Sequence, residues 1–306
     1  MLKEIKAENF TSIPDNLKIH DQYSIWNEVN RQAQPTHSFL EGPCFDSEGN
    51  LLIVDIPYGR IFSIDTAGNW KVKATYEGWP NGLRVVSNTK AYIADYKNGI
   101  ASLDLNTNNI KIILDSISSE GFKGCNDLFF SSKGELYFTD QGQTGLHDPT
   151  GRVFRLSQDE KKIECLINNG PSPNGLVMDL NEKSLYVAMT RSCEIWRVPI
   201  TQYGLGVSKV GLFARIPAGA GGPDGIALDS KGNLFVCHNS LGKVFCYDTS
   251  GYNFLTIDCS HIGKTVTNCC FGGLNMNELF ITISDMGAIA KVKLEIPGKK
   301  LFFYLK

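Results

Sequence analysis

The chain has 306 residues, 42% of them hydrophobic, and a formal net charge of −2. So balanced a charge excludes a nucleic-acid or anionic-membrane surface as the working face. No apolar run is long enough to span a bilayer.

The N-terminal stretch MLKEIKAENFTSIPDN has no apolar h-region, so we expect no secretory signal and a cytoplasmic location. The nine cysteines, at 44, 125, 165, 193, 237, 246, 259, 269 and 270, are odd in number and never spaced C-x-x-C. They read as buried free thiols in a reducing compartment. Helical periodicity is hard to find outside residues 24–33.

From Glu41 onward the chain repeats itself. EGPCFDSEGNLLIVD begins at Glu41, NGLRVVSNTKAYIAD at Asn81, and NDLFFSSKGELYFTD at Asn126. NGLVMDLNEKSLYVAM begins at Asn174, DGIALDSKGNLFVCH at Asp224, and NCCFGGLNMNELFITI at Asn268. Each of the six copies opens on a polar residue, followed by a short apolar run and a turn. A second run rich in β-branched and aromatic residues comes next, such as LYFTD or LFVCH. A third run follows, such as GRIFSID or KVFCYDT, and a weaker fourth. Short strands at even spacing, four per repeat, predict an all-β fold, specifically a six-bladed β-propeller. We expect residues 1–306 to form one domain, with the segment of about 1–35 helping to close the last blade. The expected closing strand is Tyr23–Val29, beside the C-terminal LFFYLK.

The first strand of a propeller blade lines the channel, so equivalent positions face one axis. The six openers are Glu41, Asn81, Asn126, Asn174, Asp224 and Asn268. Asn and Asp open strands because they make turns, and Asn-Gly at 174–175 reads first as a turn. That does not explain Glu41, since Glu has no special tolerance for positive φ. Carboxylates buried uncompensated on an axis cost roughly several kcal/mol each, and a divalent cation removes that cost. A donor set of carboxylate and amide oxygens, without His or Cys, favours Ca²⁺; Mg²⁺, Mn²⁺ and Zn²⁺ are the alternatives.

Five ordered stretches, LEGPCFDSEGNLLIVD, CNDLFFSSKGELYFTD, SPNGLVMD, GGPDGIALDSKGNLFV and TNCCFGGLNMNELFIT, together resemble the gluconolactonase family. That family includes regucalcin (senescence marker protein) and luciferin-regenerating enzyme. The resemblance covers roughly residues 35–295. It implies a six-bladed propeller with a divalent cation in the channel. By motif it implies Glu41 of EGP and Asn174 of PNG as metal ligands, and Asp224 of PDG as a third ligand and the general base. It implies that Asn126 of ND contacts substrate and, as in related organophosphate-hydrolysing propellers, the metal. Sugar-lactone-hydrolysing members often carry Arg two residues before that Asn, where this chain has Gly124. Lys123 is adjacent but would point differently from an extended strand.

The expected reaction is hydrolysis of a small, sugar-type lactone. The cation polarises the carbonyl while Asp224 takes a proton from water. Water activated by the cation is the alternative nucleophile, because a metal-held carboxylate is a weak base. Asn81 and His147, with Asn126, are the expected substrate contacts. His238 reads as a core or surface residue, and Trp79 and Tyr96 as core or pocket walls. GAGGPDG reads as a loop over the channel mouth. There is no G-x-S-x-G elbow and no H-E-x-x-H. Two other readings share the fold: an organophosphate or other ester hydrolase on the same cation, and a non-catalytic Ca²⁺-binding scaffold. The expected partner is a small lactone; oligomeric state stays open.

Overall fold

The structure is a computed structural model that describes residues 3–20 and 22–302. Six sheets stand around a central axis as the blades of a β-propeller, each with its strands in chain order from the axis outward except for one outermost N-terminal strand in each of the last two blades. The inner strands are Leu40–Phe45, Pro80–Ser87, Cys125–Phe130, Pro173–Met178, Pro223–Leu228 and Val266–Gly272. They begin blades 1 to 6 in that order. The core lies between neighbouring blades. Ala94, Ile100, Leu128, Phe138 and Phe154 join blades 2 and 3. Leu51, Ile53, Phe62, Phe280 and Ile289 join blade 1 to blade 6. Each fully buried side chain of this size contributes about 1.5–3 kcal/mol relative to exposure.

Between the first two strands, segments such as DSEGN and DSKGN form Asx turns. Asp46 Oδ1 accepts from the amides of Glu48 and Asn50, both at 2.9 Å, and Asp229 Oδ1 accepts from Lys231 and Asn233 at 2.8 and 2.9 Å. The side chain mimics a backbone turn and fixes the hairpin.

The N-terminus corrects the sequence reading. Tyr23–Val29 is not a strand: an α-helix spans Ile25–Arg31 and buries Trp26 against Phe39, ring centroids 4.8 Å apart. The strand that pairs with the outer edge of blade 6 is Glu8–Ser12, antiparallel to Ala288–Lys293. Lys3–Lys6 adds a parallel fifth strand to blade 5, along Asn253–Asp258. Of LFFYLK, residues 303–306 lie outside the described part. Leu301 and Phe302 sit at the far end of the axis, and Phe302 stacks on Phe130 at 5.9 Å.

All nine cysteines are free thiols. Seven are buried, but Cys165 is exposed and Cys193 half-buried, because their places near outer strands escape the inter-blade core.

Candidate active site

Asn174 and Gly175 do not turn the chain. They lie inside Pro173–Met178, at a register break between Pro173 and Leu176. Every inner strand breaks register near its opener: between Glu41 and Cys44, Pro80 and Gly82, Cys125 and Leu128, Pro223 and Ile226, and Val266 and Cys269. A bulge re-aims one side chain off the period-two alternation. Here it lets an acid or amide face the axis while the apolar residues after it stay in the core. The glycine that follows in several copies has a packing cause. A Cβ on Gly175 would lie 2.4 Å from the Asp224 carbonyl oxygen, and one on Gly225 would lie 2.1 Å from the Asn268 side chain. The inner strands meet too closely there for a side chain.

The openers converge. Glu41, Asn81, Asn126, Asn174 and Asp224 line one cavity of about 830 Å³ at one end of the axis. None is more than 6% exposed. Asn268 lies behind them, 1% exposed, and its Nδ2 donates to Glu41 Oε2 at 2.9 Å. The Gly42 amide donates to the same oxygen at 2.8 Å. Asn126 Nδ2 donates to Gln141 Oε1 at 3.0 Å, which leaves its Oδ1 buried without a partner. His147 reaches the same cavity from an exposed loop at its rim.

The two carboxylates carry no ion pair among the described residues. Burial first, then repulsion from Asp224 and Asp127, drives the Glu41 carboxyl well above its usual range. Burial also raises Asp224 to about 7, with Asp127 adding to the shift; hydrogen bonds from Asn239 and Asn174 offset part of it. Asp127 is buried one residue beyond Asn126 and faces Arg84, whose Nη2 lies 3.7 Å from Oδ1. Two buried carboxylates facing amides are a poor arrangement for an ion-free floor and a good one for a hard cation. Among the described residues no three His, Cys, Asp or Glu side chains gather as a metal cluster. The donor set is instead mixed, two carboxylates with amide oxygens. The unpartnered Asn126 Oδ1 fits that set, since an amide oxygen needs a donor or a cation.

A second ring escaped the sequence reading, apart from Tyr96, which it offered as a pocket wall. The residue directly after the second strand of blades 1 to 5 lines the cavity wall: Ile56, Tyr96, Gln141, Thr190 and Asn239. The repeat itself carried this signal, one position past LLIVD, AYIAD, LYFTD, LYVAM and LFVCH. Asn239 Oδ1 accepts from the Gly222 amide at 2.9 Å and so holds the glycine-rich loop, whose Ala220 and Gly221 reach the mouth. Arg191 and, from the N-terminal helix, Arg31 also line the cavity. Nothing in the repeat marks Arg31, which reaches the site only through the fold.

Gly124 has a specific neighbour. A Cβ there would lie 2.8 Å from the Tyr96 ring, at a φ of +153°. Tyr96 therefore occupies the space that a side chain at 124 would need. Its hydroxyl accepts from Gln143 Nε2 at 2.8 Å. Lys123 points to Thr150 and does not line the cavity. Trp79 packs into the core between blades 1 and 2 and lies 6.4 Å from the Tyr96 ring. His238 is fully buried, with Nε2 2.8 Å from the Pro217 carbonyl, and serves the loop before Asp224 rather than the cavity.

The comparisons agree with this architecture. Residues 39–285 match the family described as SMP-30/gluconolactonase/LRE-like region. Lactonase drp35 of Staphylococcus saprophyticus is 32% identical over 240 residues, 74% of this chain and 70% of that protein. Lactonase drp35 of Staphylococcus aureus is 29% identical over 238 residues, with the same coverage. Among solved structures, the calcium-binding protein regucalcin of Agrobacterium tumefaciens superposes with a TM-score of 0.76, at 20% identity over 99% of both chains. A Xanthomonas campestris gluconolactonase superposes with a TM-score of 0.73, at 21% identity over 86% of both chains. At such identities the two structures speak for the fold, and the sequence match carries the assignment: the chain belongs to the SMP-30/gluconolactonase/LRE-like family.

Proposed function

We propose that the protein hydrolyses a small, sugar-type lactone with the help of one divalent cation, Ca²⁺ first among the candidates. One observation carries the reading. Glu41 and Asp224 are buried on the cavity floor without a cationic partner, beside the unpartnered Asn126 Oδ1. The curated relatives named lactonase give the reaction class.

Glu41, Asn126, Asn174 and Asp224 would hold the ion. A hard divalent cation there would supply Lewis-acid polarisation of the ring carbonyl. The chain's own residues do the rest. Asp224 takes the proton of the attacking water on a carboxylate oxygen and returns it to the leaving ring oxygen. Asn174 and Asn239 hold its carboxylate in place. Asn81 and Asn126 orient the lactone against the floor, and His147 contacts it from the rim. The Tyr96 ring closes the wall beside Gly124, so recognition of sugar hydroxyls falls to amides and not to an arginine at that position.

The test is hydrolysis of a panel of aldonolactones by metal-stripped protein, with Ca²⁺, Mg²⁺, Mn²⁺ or Zn²⁺ added back. Metal-restored turnover that Asp224→Ala abolishes is the expected result. A folded, cation-binding protein that turns over no lactone with any of the four metals would sink the reading. Activity on a phosphotriester alone would transfer the same site to organophosphates.

A further inference from the structure

Arg31 and Arg191 enter the cavity from two unrelated elements, the C-terminal end of the N-terminal helix and the short turn Thr190–Ser192 of blade 4. Most buried or structural arginines of the chain face a carboxylate: Arg60 faces Asp55, Arg84 faces Asp127, Arg152 faces Asp140 and Arg155 faces Glu164. The two cavity arginines have no such partner within ion-pair distance among the described residues. Arg31 lies over the Phe39 ring at 5.3 Å, and its Nε is buried without a hydrogen bond. Asp285 is the acid whose charge acts on it. That carboxylate is already engaged by the backbone amides of Lys264 and Thr265, at 2.9 and 3.2 Å. Arg191 is exposed at the wall, within electrostatic reach of both Asp224 and Tyr96.

The charge of the cavity follows. Summed over the lining, Arg31 and Arg191 offset the charges of Glu41 and Asp224 without forming ion pairs with them. Any divalent cation on the floor then leaves the lining with an excess of two positive charges. A neutral lactone does nothing for that excess. Guanidinium groups present paired donors that match a carboxylate or phosphate. A cavity of about 830 Å³ has room for a lactone ring and a charged substituent together.

We propose that the substrate is an anionic lactone, one that carries a carboxylate besides the ring ester, and that Arg191 and Arg31 bind that carboxylate. The proposal rests on the lactonase reading above. Ring opening then converts a monoanion into a dianion. Water's oxygen bonds to the acyl carbon, the ring C–O bond breaks, the ring oxygen leaves with one of water's protons as a hydroxyl, and the new carboxyl group releases the other proton to solvent. The new carboxylate forms at the floor and the original one stays at the wall.

The experiment compares two γ-lactones of the same ring, one with a free carboxylate substituent and one with its primary amide, using Ca²⁺-loaded protein. We expect kcat/KM to favour the carboxylate by about 10- to 100-fold, mostly through KM, as a charge-assisted hydrogen-bonded pair would give. Added NaCl should raise KM for the charged lactone more than for the amide. Arg191→Gln should collapse the ratio, and Arg191→Lys should retain part of it. A parallel calorimetric titration of metal-free protein with the two ring-opened products reads the same preference without turnover, and the melting curve of each variant confirms its fold. Equal kcat/KM for the two lactones, or a preference untouched by Arg191→Gln and Arg31→Gln, overturns the proposal. If neither lactone is hydrolysed, the titration decides. Tighter binding of the dianion that is lost in Arg191→Gln upholds the anion site whatever the fate of the lactonase reading, and no difference between products overturns the proposal.

Discussion

Two sets of buried carboxylates in this molecule look alike by burial and differ in company. At the blade corners, Asp55 and Asp140 are fully buried and each meets a guanidinium: Arg60 Nε lies 2.8 Å from Asp55, and Arg152 Nε lies 2.6 Å from Asp140. Each also anchors the segment that leads into its own blade, through the amides of Phe39 and Gly124 at 2.7 and 2.8 Å. On the axis, Glu41 and Asp224 are 3% and 5% exposed and meet amides alone. The corner acids belong to the frame, and the chain supplies their countercharge. The axial acids form no ion pair with any cationic side chain among the described residues. Asp127, paired with Arg84 just below, marks the boundary between the two kinds.

The comparison can be broken by swapping the losses. Asp224→Ala should lower lactone turnover by about 10³-fold or more and weaken Ca²⁺ binding, yet leave the melting temperature of the metal-free protein unchanged or higher. Turnover within tenfold of the wild type would remove Asp224 from the chemistry. Arg152→Ala is the mirror experiment. It strands Asp140 and should cost about 3–5 kcal/mol in stability, read by urea denaturation, while the Ca²⁺ affinity measured by calorimetry hardly moves. A large loss of affinity would mean that frame and site are not separable.

Saturating Ca²⁺ sharpens the contrast from the other side. At a hundredfold excess over its dissociation constant it should add about 2.7 kcal/mol to wild-type stability. Glu41→Gln should lose most of that gain, whereas Arg60→Ala should keep it. Gly124→Ala probes the wall between the two sets. Its methyl meets the Tyr96 ring, and we expect about 1–3 kcal/mol of destabilisation; a neutral result in thermal melts would show that the ring can swing aside.

The smallest effect is in pH. The unfolded chain releases the Asp224 proton near 3.8, and burial holds that proton in the metal-free native state to about 7. The native state therefore binds more protons in between, and metal-free stability should fall as pH rises from about 4 to 7. Asp55, raised to about 6 mainly by burial, acts in the same direction. Ca²⁺ should flatten the Asp224 part of the slope and leave the Asp55 part. A metal-free protein whose denaturation midpoint rises over this window would contradict the assignment.

Much of this was legible beforehand, for a physical reason. A blade is a local unit, four strands joined by short turns, so its grammar is written in consecutive residues and recurs. The six openers fall at the same place in each copy, and closure of the ring brings them to one axis. The bulge at Asn174–Gly175 was read as a turn because Asn-Gly favours both, and only the register across Ser184–Met189 separates them. The closing strand was misplaced for a different reason. KEIK and ENFTS sit at sheet edges, mostly exposed, and need no apolar alternation. YSIWNEV is richer in apolar residues but buries only one helical face.

What the sequence determined by itself is the repeat: six blades, and an acid or amide opener in each that faces the axis. What the tertiary structure alone decided is company. It put Tyr96 against Gly124 and brought Arg31 and Arg191 from distant segments to one cavity. Contacts inside a repeat are encoded by spacing. Contacts across the mouth depend on how loops and an N-terminal helix pack over the ring, and no local pattern carries that.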